Sequence, residues 1–382
     1  MNFHIAFNAW FWNRPDTGSG QYLHGLVDGL LAVEPSIRLT LVAPEGWQID
    51  APPGIGIERV SLHGTGHLAK VRFEQQDFPQ AAARIGADLA HVPYWGAPLV
   101  SPLPIVVTIH DLIPLLLPAY RGGLLARLYT ALVAASAGGA SAVLTDSEHS
   151  RQDILRHLHL PADRVHAILL ACGEAYRPEP DDALDKAVRQ KYSLPPEYVL
   201  YLGGSDIRKN VEGLIRAYVY VKTSEVPLVL AGRLPDKVTS RFTDVPRLIQ
   251  SMDIGDIVQV IGQIDEADKP SLYRMAKCFV FPSFYEGFGL PVLEAMACGT
   301  PVVAADTSSL AEIVGDAGFL VRPDDIERLA GAIVSILVDE DLAQDLSQKS
   351  KRRAAEFSWN RVARETIAVY RMAFSRKAIG CD

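Results

Sequence analysis

The stretch that decides the reading is Phe284-Tyr285-Glu286-Gly287-Phe288-Gly289-Leu290-Pro291-Val292-Leu293-Glu294-Ala295-Met296-Ala297-Cys298-Gly299. An apolar run, Cys278–Pro282, precedes it and reads as a buried strand. Gly287 and Gly289 permit a tight turn in which backbone N–H groups approach a ligand closely. Pro291 suits the first position of a helix. A helix start reached through a glycine turn is an anion site, and a diphosphate fits it. Glu286 then precedes the helix and Glu294 lies one turn inside it. The two cannot share a helix face as a catalytic pair. Each is read instead as a separate acceptor for hydroxyls of a ligand stretched along the helix start. Glycosidase chemistry demands two carboxylates opposed across a bond, which this spacing does not suggest.

Outward from this stretch, β-rich apolar runs alternate with helical patterns, the mark of parallel sheets covered on both faces. Strands are expected at His4–Trp12, Arg38–Ala43, Ala87–Val92, Ile105–Ile109 and Ser141–Thr145. The pattern restarts with strands at Tyr198–Gly203, Pro227–Ala231, Val258–Ile261, Pro301–Ala305 and Gly318–Val321. Leu23, Leu26, Val27 and Leu30 form one helical stripe, Asn210–Val221 a second helix, and a long helical region runs from Asp324 towards Phe357. Pro178–Asp185, acidic and proline-bearing, reads as the end of a linker. The expected organisation is α/β, with doubly wound domains at 1–180 and 181–357 and a closing segment at 358–382. Paired domains of this kind make a cleft into which strand C-termini point ligands.

Composition narrows the function. A chain of 382 residues exceeds what one core usually holds. Apolar content of 48% and charged content of 21% exclude disordered and fibrous classes. A net charge of -8 argues against a nucleic-acid binder. The basic run Lys349, Lys351, Arg352 and Arg353 reads as the solvated end of a helix. Cys172, Cys278, Cys298 and Cys381 show no metal-ligand spacing, as expected of scattered thiols in a reducing compartment. The first residues lack a basic and then apolar leader, so a cytoplasmic protein is expected. Leu128–Thr145 carries no charge but is rich in Ala, Gly and Ser. It reads as a buried helix, a turn and a short strand rather than a membrane span. Any membrane contact is expected to be peripheral.

The motif E-G-F-G-L-P-x-L-E-A-M-A-C-G, from Glu286 to Gly299, resembles the hallmark of the retaining glycosyltransferases of family 4. That family has the GT-B fold of two Rossmann-like domains. The resemblance implies that Glu286 contacts hydroxyls of a donor sugar and Glu294 binds a ribose. It also implies that the backbone of Phe288, Gly289 and Leu290 lies against the diphosphate and sugar. Residues 201–210, Y-L-G-G-S-D-I-R-K-N, leave a strand and enter a helix. Two cations there could neutralise a phosphate leaving group. The segment is similar to the family's phosphate loop, usually G-R-x-x-x-x-K. Here Gly204 stands where the arginine is common, Lys209 matches the lysine, and Arg208 is the additional cation. Gly204 and Ser205 join the donor-binding set.

Gly18, Ser19 and Gly20 resemble the family's N-terminal glycine loop at the acceptor edge of the cleft. His110 matches a histidine that approaches the donor sugar, with Asp111 beside it. Ser147, in T-D-S-E-H-S, is the preferred member of a segment similar to the family's T-x-S-x-x-S. Ser308, Ser309 and Glu312 fall where the donor pocket closes, and Trp359 belongs to a last helix that crosses back onto the first domain. Trp10, Trp12 and Trp95 serve either as packing or as a platform for a sugar or lipid.

The implied activity is transfer of a hexose from a nucleoside diphosphate sugar to an acceptor hydroxyl, with retention. Catalysis would rest on Glu286, Lys209, Arg208 and His110. The leaving phosphate would take the acceptor's proton, without a metal or other cofactor. The only D-x-D text, Asp339-Glu340-Asp341, lies in the late helical region. S-D-x-R-K-N with H-D-L-x-P is similar to bacterial mannosyltransferases that use GDP-mannose. A UDP-sugar-dependent transferase and a non-catalytic nucleotide-sugar-binding protein are the alternatives. The acceptor expected is a glycan or a lipid-linked molecule.

Overall fold

The structure is a computed structural model describing residues 3–64, 66–221, 223 and 225–379, so Cys381 lies outside the described residues. The chain divides into two compact units, Met1–Leu170 with Ser358–Asp382, and Ala171–Phe357. The division after Leu170 falls earlier than residue 180.

The first unit is built on seven parallel strands: β1 (His4–Asn8), β2 (Arg38–Pro44), β3 (Gly56–Val60), β4 (Leu89–Val92), β5 (Ile105–Thr108), β6 (Ala142–Thr145) and β7 (Val165–Ala167). Their order in the sheet is β3-β2-β1-β4-β5-β6-β7. The central strands β1, β4, β5 and β6 are buried along their whole length, as covering helices on both faces require. The second unit repeats the plan with β8 (Val199–Leu202), β9 (Leu228–Ala231), β10 (Val258–Gly262), β11 (Cys278–Phe281), β12 (Val302–Ala305) and β13 (Phe319–Val321). Their order is β10-β9-β8-β11-β12-β13. Each sheet reverses its strand order once, between β1 and β4 and between β8 and β11. Ligands of open α/β sheets collect at such points, beyond the strand C-termini.

Four expectations need correction. The first strand stops at Asn8, and Trp10–Trp12 fold into turns in which Trp12 N–H donates to the Ala9 carbonyl at 3.0 Å. The late helical region is two helices, Ile326–Val338 and Glu340–Ala354. Asp339 separates them by accepting from Leu342 N–H at 3.0 Å, so the D-x-D text is a helix cap. Gly138 and Gly139 do not make a turn, because the helix Leu124–Gly139 runs through them. That helix is also largely exposed rather than buried, with Leu124 and Leu125 uncovered at its start.

Two small contacts explain otherwise odd residues. The final helix, Trp359–Ile379, crosses the helix Gly18–Val33 at Gly25, where a Cβ would lie 2.1 Å from the Trp359 ring. Only glycine leaves that indole a seat. The aromatic residues left open by the sequence are packing groups. Trp10 lies against Trp47 and Phe73, with ring centroids 5.3 Å apart in each case. Trp12 is buried and donates to the Asp50 carbonyl at 3.0 Å, and Trp95 donates to the Val133 carbonyl at 3.1 Å.

Candidate functional site

In the second unit the segments singled out above are the loops leaving β8 and β11, which are adjacent strands. The topology therefore places residues 203–210 beside residues 282–289 at the switch point. Phe284 N–H donates to the Arg208 carbonyl at 2.8 Å and ties the two loops together. Asn210, in the left-handed region at φ 55, donates from Nδ2 to the carbonyls of Pro282 (3.1 Å) and Pro323 (2.7 Å). A side-chain amide thus satisfies buried carbonyls that no strand partner reaches.

Between the loops lies a charged knot. Glu286 Oε1 is 2.7 Å from Lys209 Nζ, and Oε2 is 2.8 Å from Arg208 Nη1. Arg208 also donates to the Tyr285 carbonyl, and Lys209 Nζ stands 4.7 Å over the Phe281 ring. Burial opposes ionisation of Glu286, but Lys209 and Arg208 outweigh it and hold the carboxyl below the ordinary glutamate range. Burial draws Lys209 below the usual lysine range, while Glu286 works the other way. Two cations are thus gathered at one buried carboxylate.

The helix Leu290–Ala297 starts at Gly289, whose φ is 120. A Cβ there would sit 2.5 Å from Leu310 Cδ2, so the turn demands glycine on both counts. The backbone of this turn is braced from behind. Glu286 N–H donates to Ser308 Oγ at 3.0 Å, and Ser309 Oγ donates to the carbonyls of Glu286 (3.0 Å) and Phe288. Ser308 and Ser309 therefore shape the loop carrying Glu286, while Arg353 holds the Glu312 carbonyl. Phe288 is buried and meets Phe357 edge-on.

Glu294 is in a different environment from Glu286. It is buried, and Tyr273 Oη donates to its Oε2 at 2.8 Å. Burial pushes its carboxyl above the ordinary range, with Lys269 opposing. Gly204 and Ser205 line a narrow pocket with Tyr201, Gly232 and Val260. Tyr201 Oη donates to the Gly204 carbonyl at 2.8 Å, and Ser205 Oγ is buried without a hydrogen-bond partner. Among the described residues, no group of His, Cys, Asp or Glu is placed to hold a metal ion.

In the first unit, Thr17 caps the helix Gly18–Val33 by accepting from Gly20 N–H at 3.2 Å. A Cβ on Gly20 would meet the Arg14 carbonyl at 1.9 Å, whereas Gly18 faces open space. Gly20 is there for packing, Ser19 is half-buried, and Gly18 is exposed. His110 follows β5, and its Nδ1 lies 2.7 Å from Asp146 Oδ2 in the loop after β6. Asp111 Oδ1 accepts from Ile113 N–H at 2.9 Å. Ser147 caps the helix Glu148–Leu158 by accepting from Ser150 N–H at 3.1 Å. Sequence reasoning chose Ser147 and passed over Asp146. The pairing was not legible in the sequence: β5 and β6 pair Thr108 with Leu144, and only that register, two residues further on, sets His110 opposite Asp146.

Comparison with known proteins decides what this arrangement belongs to. The profile described as "Glycosyltransferase Family 4" matches residues 17–169, and that described as "Glycosyl transferases group 1" matches residues 185–353. The O-antigen chain mannosyltransferase B of Escherichia coli is 36% identical over 70% of this chain and 70% of its own length. The chain is a family 4 glycosyltransferase. The serotype-specific mannosyltransferase WbdA of Escherichia coli is 32% identical over 69% of this chain, which spans only 32% of that longer protein. Among solved structures, sucrose-phosphate synthase from Thermosynechococcus elongatus superposes with a TM-score of 0.78 at 24% identity. It covers 98% of this chain and 100% of its own. Anabaena HepE gives 0.72 at 18% identity, covering 97% of this transferase and 99% of its own chain. These likenesses place the fold in the GT-B class.

Proposed function

We propose that this transferase moves a mannosyl residue from GDP-mannose to a hydroxyl of a glycan or lipid-linked acceptor, with retention at the anomeric carbon. The observation that carries the reading is Glu286 held between Lys209 and Arg208 beside the helix start at Gly289. The donor's diphosphate would take over the two cations and the helix N-terminus. The freed Glu286 would then accept from hydroxyls of the sugar. Charge building on the departing diphosphate is met by groups already oriented towards it, which is where most enzymatic stabilisation arises. Lys209 and Arg208 supply this positive charge themselves, so we expect transfer to proceed in the presence of a chelator. The proton of the acceptor hydroxyl passes to the leaving phosphate, and no protein base is assigned.

Mannose is favoured because relatives named as mannosyltransferases match well. They include the MMP alpha-(1->4)-mannosyltransferase of Mycolicibacterium hassiacum at 31% identity. A UDP-sugar donor is the second reading. The alpha-D-kanosaminyltransferase of Streptomyces kanamyceticus, 27% identical, shows that other sugars are handled within the same set of relatives. No helix among the described residues is long and apolar enough to cross a membrane. A lipid-linked acceptor would bring the enzyme to the cytoplasmic face of a membrane by peripheral contact. The exposed Leu124, Leu125 and Leu128, with Arg121 and Arg127 as the only charges between Asp111 and Asp146, are suited to such contact.

The test is turnover. GDP-mannose labelled at the anomeric carbon is incubated with candidate glycan acceptors, and the product is read by its carbon–proton coupling. An α-mannoside with release of GDP is the expected result. A β-mannoside, or release of UDP from a UDP-sugar while GDP-mannose stays intact, would overturn it.

A further inference from the structure

We infer that Asp146 is a positioning residue for His110. Its carboxylate takes the Nδ1 proton, fixes the tautomer and plane of the ring, and leaves Nε2 as the nitrogen turned towards a ligand. This rests on the transferase reading above.

The geometry comes from the sheet. Adjacent parallel strands β5 and β6 deliver His110 and Asp146 from the same edge, at an Nδ1–Oδ2 distance of 2.7 Å. Asp146 is 3% exposed, so its carboxylate needs a strong hydrogen bond to be tolerated there. It has no capping duty, because Ser147 caps the following helix. Ser150 Oγ donates to the His110 carbonyl at 3.2 Å, which pins the backbone of the loop to that helix. The Tyr22 ring stands edge-on to the imidazole at 5.1 Å and blocks rotation on that side. Below, Thr108 Oγ1 lies 2.8 Å from His91 Nε2 and donates to Tyr22 Oη at 3.0 Å. His91 Nδ1 lies 2.6 Å from Tyr370 Oη, so the platform under His110 has its hydrogen bonds occupied. The one ring nitrogen left over is His110 Nε2, which is buried with no hydrogen-bond partner. A buried ring nitrogen in that state calls for a partner, a ligand or an ordered water, to complete it.

The neighbours of His110 define how it titrates. Burial disfavours its charged form, but Asp146, with Asp111 and the Pro93 carbonyl adding to it, raises the ring above its ordinary value. His91 and Tyr22 are the other titratable groups that face it. His91 is itself drawn down to about 3 by burial and stays neutral at working pH. Above its raised titration, with Nδ1–H committed to Asp146, the neutral ring presents the Nε2 lone pair to a ligand hydroxyl. No covalent step is involved.

The experiment uses full-length protein labelled with nitrogen-15 in histidine. Long-range nitrogen–proton spectra read the tautomer and titration of His110, with and without Asp146→Asn. Above the titration, the expected wild-type result is a neutral ring protonated at Nδ1. Asp146→Asn should move the titration to lower pH and carry one limb of the kcat–pH profile in the same direction. It should reduce kcat roughly 10-fold or more, the scale seen when a carboxylate that orients a histidine is lost. Affinity for GDP should change less than about twofold, as for an independent site. In a His110→Ala background the second substitution should have no further effect on kcat.

An Nε2–H tautomer in the wild type overturns the proposal without any variant. So does an unchanged titration in Asp146→Asn, or losses that simply add in the double variant. If wild-type protein turns over no donor, the transferase reading fails, while the spectra still test the pair.

Discussion

Replacing Glu286 by glutamine should have opposite effects on binding and on turnover. In the folded protein the carboxylate neutralises Lys209 at 2.7 Å and Arg208 at 2.8 Å. Both cations are at least four-fifths buried, with side-chain exposures of 17% and 14%. Two unit charges 4 Å apart at an effective dielectric near 20 interact by about 4 kcal/mol. Removing the negative charge leaves two buried cations uncompensated and should cost roughly 3–5 kcal/mol of stability. The same change removes an anion that the donor diphosphate must displace. Reversing a repulsion of about 1–2 kcal/mol predicts GDP binding tighter by roughly tenfold. Turnover should nonetheless fall by about 100-fold or more, because the group lost acts on the sugar as charge develops. Isothermal titration with GDP, scanning calorimetry and a transfer assay read the three quantities on one preparation. Weaker GDP binding in Glu286→Gln would refute the exchange of anions at this site. The pairing also sets an acid limit. The folded-state value of Glu286 is lowered, so its contribution is complete above the ordinary 4.5 and disappears as pH falls below it.

Other consequences can be measured directly. Gly289→Ala places a Cβ 2.5 Å from Leu310 at a φ of 120 and should cost about 3 kcal/mol from strain and overpacking. An unchanged calorimetric melting temperature would contradict this. Tyr273→Phe removes the donor to buried Glu294 and should weaken GDP binding about tenfold, in line with a lost hydrogen bond to a buried charged group. Equal affinities for GDP in the two proteins would count against a ribose role for Glu294. His91 has a folded-state value of about 3, so stability is full above pH 6.5 and declines as pH falls towards 3. All five tryptophans lie in the first unit, so guanidinium unfolding followed by tryptophan emission reports on it. That transition should lose about 2–3 kcal/mol between pH 6.5 and 4.5, and His91→Gln should abolish most of the loss. Finally, vesicles containing anionic lipid should retain the wild-type protein at low salt and release it at high salt. Leu124→Ser with Leu128→Ser should prevent retention, and equal retention of the two proteins would show that this helix start is not the contact.

How far the sequence could be read depended on how local each feature was. The strand, glycine turn and helix around Glu286 were legible because Gly289 and Pro291 encode that turn within a few residues. The central strands were legible because burial on both faces makes them continuously apolar. The edge strands β3 and β7 were not. Gly56–Val60 carries Glu58 and Arg59 on an exposed edge, and Val165–Ala167 has only three residues. The helix Leu124–Gly139 was misread as buried because nothing in an Ala-rich, uncharged run tells whether another element will cover it. Trp10 and Trp12 sit in turns rather than on a strand because their rings are claimed by Trp47, Phe73 and His24, which are distant in sequence. The candidate site divides in the same way. Lys209 and Glu286 could be named from motifs, but their ion pair depends on the adjacency of β8 and β11. Asp146 was hidden for the same reason, since its partner comes from the neighbouring strand.

The most direct test of the account is calorimetric titration of the purified protein with GDP-mannose, UDP-glucose, GDP and UDP. The account predicts clear preference for the guanine pair, weakened in Glu294→Ala. Preference for the uracil pair, or no binding to any of the four, would contradict it.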